Sequence, residues 1–151
     1  MSVRSVSSLP PVAARFSINV IENRDNAVLM LKRAQTAGLG PGLWGFPAGH
    51  IEPGETPASC AWRELHEEIG ERFRTLLVTT LGPIRDTQYG GVYEIYLFHR
   101  RWEDGEIVLN DEHTDYAWVA KEDFVHYDAM QGIDEDIIYL DIWPARYVRK
   151  V

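Results

Sequence analysis

Apolar and polar positions alternate where patterning begins. Phe16, Ile18 and Val20 interleave with Arg15, Ser17 and Asn19, the period-2 signature of a strand with one buried face. The polar run ENRDN (22–26) carries turn chemistry, and the apolar run AVLML (27–31) fits a strand covered on both sides. Together these pieces predict a β-hairpin. AGLGPG (37–42) then reads as a glycine-rich loop and LWGFPAG (43–49) as a short extended lead-in. Further on, FRTLLVTTL (73–81), VYEIYLFHRR (92–101) and DYAWVA (115–120) read as strands, with EDG (103–105) placed to close a hairpin. KEDFV (121–125) is expected as a helical turn, and residues 133–142 as a C-terminal helix ended by Pro144.

Between the two groups of strands the period lengthens. In GHIEPGETPASCAWRELHEEIGE (49–71), Thr56 suits an N-cap, Pro57 the first helical position and Gly70 the residue past the end. On a helical wheel with Glu64 at zero, Ala58, Ala61, Trp62, Leu65 and Ile69 fall between about 60° and 160°. Glu67 falls near 300° and Glu68 near 40°, so the carboxylates are expected on a face separate from the apolar stripe. Strands on both sides of this helix, without strict βαβ alternation, favour an α/β fold. The expected form is an α/β/α sandwich around a central mixed sheet rather than a doubly wound one.

The chain has 151 residues and a formal charge of −8, which makes one domain the simplest division. Residues 1–12 are expected as a disordered tail and 13–151 as a single domain. No run is apolar enough to span a bilayer, the start lacks a secretory apolar region, and the single Cys60 permits no internal disulfide. A cytoplasmic protein is therefore expected, with no membrane partner. The acidity argues against nucleic-acid binding, which needs a basic stripe. A phosphorylated small molecule stays open, provided local cations offset the repulsion. AGLGPG lacks the Lys-Ser/Thr ending of a P-loop.

The helix raises the sharper question. It crowds Glu64, Glu67 and Glu68 into one turn, with Glu71 just beyond, and like charges at i,i+4 destabilise a helix. A solvated face with an Arg63–Glu67 pair is the bland reading. Against it stand the tightness of the cluster and the uncompensated charge. A loop stiffened by Gly49, Pro53 and Gly54 also lies beside it. A hard divalent cation answers all three, since Mg²⁺ takes oxygen ligands and shares its site with substrate phosphates. His50 and His66 lack a convergent Cys or second His for zinc, and His99, His113 and His126 have no partner at ligand spacing.

At these positions the sequence resembles the Nudix hydrolase family, whose box reads G-x5-E-x7-R-E-U-x-E-E-x-G-U with U aliphatic. Gly49, Glu55, Arg63, Glu64, Leu65, Glu67, Glu68 and Gly70 occupy the fixed positions, and only Glu71 departs from the pattern. LWGFPAG is similar to the family's lead-in and DEHTDYAWV (111–119) to its later strand. The resemblance implies Mg²⁺- or Mn²⁺-dependent hydrolysis of a nucleoside diphosphate linked to another moiety. Candidates are a nucleoside triphosphate, ADP-ribose, a nucleotide sugar or a dinucleoside polyphosphate. It implies metal binding by Glu64, Glu67, Glu68 and the Gly49 carbonyl. Glu64 or Glu112 would activate water, with Glu67 and Arg63 in the catalytic set, and Glu55 and Arg63 would orient the helix against its loop. Arg33, Phe46 and Tyr89 are candidate substrate contacts, and a monomer or homodimer is expected. A non-catalytic module that senses a nucleotide or ADP-ribose is the alternative reading. Such modules typically lose box glutamates, and none is lost here.

Overall fold

The computed structural model describes residues 11–87 and 91–149. Seven strands form one mixed sheet: β1 (Ala14–Glu22), β2 (Val28–Arg33), β3 (Trp44–Gly45), β4 (Ala48–His50), β5 (Phe73–Asp86), β6 (Tyr93–Gly105) and β7 (His113–Val119). Two helices, α1 (Pro57–Ile69) and α2 (Ile133–Tyr139), accompany them. The order is β3-β2-β1-β6-β5, with β4 paired to β1 and β7 to β2. β1 and β6 run parallel and the other pairs are antiparallel.

Strand alternation sends successive side chains to opposite faces, and here it builds two cores. Val20, Val28, Met30 and Leu97 join Ile133, Ile137 and Trp143 on the α2 side. Ile21, Leu29 and Leu31 join Leu65, Ile69 and Phe73 on the α1 side. The expected α/β/α layering is what these two clusters describe.

The predicted hairpin is present but splayed. Asn23 Oδ1 accepts bonds from the Asp25 and Ala27 amides, both at 3.0 Å, and Asn26 takes a positive φ of 60°, as turn asparagines tolerate. Beyond that turn the β1–β2 register holds only Glu22 against Val28. The lead-in then wedges between the two strands: β3 pairs with β2, and β4 pairs with β1 at Phe16–Ile18. This insertion carries Gly49 to the site.

EDG does not close a hairpin. Residues 103–105 are the end of β6, with Gly105 opposite Phe73, because β6 pairs with β5 and β7 crosses to β2 instead. β5 runs past the expected Leu81 to Asp86. It lies at the sheet edge, where Leu76, Leu77 and Val78 are about half exposed. α2 stops at Tyr139, short of residue 142, where Asp141 adopts a φ of 55°. Trp143 is nevertheless buried, its indole donating to the Asn26 carbonyl at 2.8 Å. Most of the expected tail, residues 1–10, lies outside the described residues. Among those described, no helix is long and apolar enough to cross a membrane.

Candidate active site

Local sequence starts α1 where expected. The Thr56 side chain accepts from the Ser59 amide at 3.0 Å, and the Ser59 hydroxyl accepts from the Thr56 amide at 3.1 Å. This reciprocal cap satisfies donors that a helix start leaves orphaned. Pro57 occupies the first turn and Gly70 ends the helix at a φ of 91°.

The buried face of α1 differs from the wheel. Cys60, Ala61, Leu65, Glu68 and Ile69 are buried, while Ala58 is exposed and Trp62 stays 46% exposed. The buried arc is rotated toward the carboxylates, so Glu68 sits within it rather than on a separate face. The cause is the inserted β4, which covers that flank of the helix. Ala48 donates its amide to Glu68 Oε2 at 2.9 Å.

Arg63 organises the rim. It grips Glu55 through two bonds of 2.6 and 2.9 Å, donates to Glu64 at 2.8 Å and to the His50 carbonyl at 3.1 Å, and reaches Glu67 at 3.4 Å. The carboxylates at this end are therefore compensated, contrary to the expectation of uncompensated charge. The paired guanidinium holds the Glu55 carboxyl down at about 2, and the Glu52 amide helps. Glu64 is shifted upward, burial outweighing the Arg63 bond. Gly49 leaves room for Glu64: a Cβ there would stand 2.1 Å from the Glu64 carboxyl carbon and force that side chain to move.

Glu68 accepts from the Ala48 amide but has no arginine or lysine bonded to it among the described residues. It is 2% exposed, and its carboxyl is pushed well above the ordinary range by burial first, then by Glu64 and Glu112. Glu112, exposed on the turn before β7, comes together with Glu68 and the buried His113. His113 Nε2 is 3.5 Å from Glu68 Oε1, and among the described residues its Nδ1 has no hydrogen-bond partner. Burial, then Arg33, lowers the His113 imidazole to about 4. Buried polar atoms are nearly always satisfied. An acid crowded by two others, with an imidazole nitrogen 3.5 Å away, is a donor set that fits a divalent cation.

The remaining candidates separate. Arg33 donates to the Leu39 carbonyl at 2.6 Å, bracing the glycine loop, and its charge faces Glu68. Phe46 is 6% exposed and belongs to the α2-side core. Tyr89 lies outside the described residues. A cleft of about 400 Å³ lined by Ile84, Arg85, Asp86, Ile95, Glu135 and Asp136 stands apart from the box residues.

Sequence reading missed the braces behind the site. Asn19 donates to the Ala61 carbonyl at 3.0 Å and to that of Pro47 at 3.4 Å, while accepting from Arg100 at 2.9 Å. Ser17 bonds the Pro57 carbonyl at 2.7 Å. The only signal is a pair of polar residues at alternate positions of β1, Ser17 and Asn19. His99 and His113 each meet a carboxylate distant in sequence. His99 meets Glu22 at 2.8 Å across 77 positions, a separation that local spacing cannot reveal.

The NUDIX domain profile matches residues 13–140. The chain belongs to the NUDIX family. It is 39% identical over 121 residues to the nucleoside triphosphatase NudI of Escherichia coli O17:K52:H18, covering 72% of this chain and 83% of that one. Its fold is similar to that of a MutT protein from Methanosarcina mazei Go1, with a TM-score of 0.72 at 20% identity over 87% and 94% of the two chains. It is also similar to a C. elegans Ap4A hydrolase, with a TM-score of 0.66 at 19% identity over 87% and 100%. This NUDIX chain is a hydrolase acting on phosphoric anhydride bonds.

Proposed function

We propose that this NUDIX hydrolase cleaves nucleoside triphosphates to the monophosphate and pyrophosphate, using Mg²⁺ or Mn²⁺. Glu64, Glu67, Glu68, Glu112 and the Gly49 carbonyl form the set from which the cation is held. The observation that carries the reading is the buried Glu68, crowded by Glu64 and Glu112. The 39% identity to a nucleoside triphosphatase supports the substrate class.

When bound, the cation offsets the charge of the phosphates and acidifies water. Glu64 takes the proton as water attacks phosphorus, and the bond to the bridging oxygen breaks, releasing pyrophosphate. Arg63, clamped by Glu55, fixes the Glu64 carboxylate, and the missing Cβ of Gly49 leaves it room. The proton then passes to solvent.

A panel of ribo- and deoxyribonucleoside triphosphates, nucleotide sugars, ADP-ribose and dinucleoside polyphosphates tests this, with products identified. Monophosphate and pyrophosphate from triphosphates, abolished by chelator, is the expected result. Triphosphate bound but intact after incubation with Mg²⁺ would instead establish a sensing module. Preferential turnover of another class would replace the substrate assignment.

A further inference from the structure

We propose that His113 coordinates the divalent cation directly, together with Glu68 and Glu112, so that this chain binds its metal through a mixed nitrogen and oxygen set. The inference rests on the reading of Glu68 as a metal ligand and names a donor outside the box.

Geometry comes first. One imidazole nitrogen of His113 and one oxygen from each of Glu68 and Glu112 lie within 4.8 Å of one another. Around an octahedral ion with bonds of about 2.1 Å, ligand atoms stand roughly 3 Å apart when adjacent and about 4.2 Å when opposite. Small rotations of two side chains close the difference.

Burial comes second. The His113 and Glu68 side chains are each only 2% exposed. Among the described residues Nδ1 of His113 has no partner, and Nε2 faces Glu68 only at 3.5 Å, beyond the usual range of an N–H···O bond. A buried imidazole so poorly satisfied is costly unless something else engages it. A cation between His113 and Glu68 engages Nε2, the nitrogen that faces the carboxylate.

Backbone placement comes third. The Glu112 carbonyl accepts from the Ala34 amide at 2.9 Å, the Glu112 amide donates to Asn110 Oδ1 at 3.1 Å, and His113 stands in register with Arg33. The turn before β7 thus delivers two consecutive side chains to one carboxylate, and the strand holds the second in place. An imidazole donor favours Mn²⁺ and later transition ions over Mg²⁺, which prefers an all-oxygen shell.

The test uses the full chain with one equivalent of Mn²⁺ and no nucleotide, read by pulsed electron paramagnetic resonance. The expected result is a ¹⁴N coupling on bound Mn²⁺ that disappears in both His113→Gln and His113→Asn. In those variants Mn²⁺ should remain bound, with its preference over Mg²⁺ reduced roughly tenfold or more. Bound Mn²⁺ without ¹⁴N coupling in the unaltered chain overturns the proposal and leaves the carboxylate reading standing. Coupling that survives both substitutions assigns the nitrogen elsewhere and also overturns it. Failure to bind Mn²⁺ at all overturns the carboxylate reading itself. The first measurement needs no variant, so a misfolded substitution cannot obscure it.

Discussion

Glu68 on α1 and Asp136 on α2 are both buried helix carboxylates, on opposite sides of the sheet, and burial pushes both well above the ordinary range. Their surroundings differ. Glu68 has the Ala48 amide and the Arg33 charge to oppose that push. For Asp136 the neighbouring charges are further acids, Asp86, Glu135 and Asp134, which add to the push. The push on Glu68 is opposed by an amide and a cation, whereas every charge acting on Asp136 adds to it. Similar burial therefore leaves the two carboxyls in different electrostatic settings, and the groups around each decide how readily it ionises.

The largest effect should come from the acid that receives the proton. Glu64→Gln is expected to lower the rate at saturating substrate and metal by about 10²–10⁴, or roughly 3–5 kcal/mol of barrier. If Glu112→Gln loses that rate while Glu64→Gln keeps it, the base belongs to Glu112.

Exchanging the two buried acids tests the comparison itself. Glu68→Gln should weaken metal binding, so that its lost activity is partly recovered at high Mg²⁺ and the rise in Tm on adding Mn²⁺ shrinks. Asp136→Asn should leave that rise unchanged. Equal losses in both variants would erase the distinction.

Arg63→Ala keeps every carboxylate but frees Glu55 and Glu64 from their shared clamp. Activity at limiting Mg²⁺ should fall roughly 10–100-fold, and near wild-type kinetics would reduce Arg63 to a surface ion pair.

The smallest effect is on stability. Burial raises the Asp136 carboxyl above its unfolded value near pH 4, so the folded chain releases that proton at a higher pH than the unfolded chain does. Its contribution is thus fully present below that unfolded value and is lost as pH rises through the raised folded value. Asp136→Asn should raise Tm by a few degrees at pH 8 and change it little at pH 4. A pH-independent change would show Asp136 ionised in the fold.

Much of this was legible in local sequence. Thr56, Pro57 and Gly70 bound α1 as their chemistry requires, and the box residues can be read from spacing alone. The burial of Glu68 could not be, because it depends on β4 entering the fork between β1 and β2. The Asn19–Arg100 bond joins residues 81 positions apart, so a strand pattern shows only two polar side chains. His113 was unreadable for the same reason: its carboxylate partner lies on α1, and β7 reaches it only by crossing to β2.

The parallel pairing of β1 with β6 also imposes a timetable during synthesis. Arg15 meets Glu94 across 79 residues, and ribosomes add about 5–20 residues per second. β1 therefore waits roughly 4–16 s for its partner strand, long after α1 and its glutamates have been made. Over that interval nascent β1 lacks the partner for the edge that β6 will fill, and unpaired strand edges are open to wrong pairing.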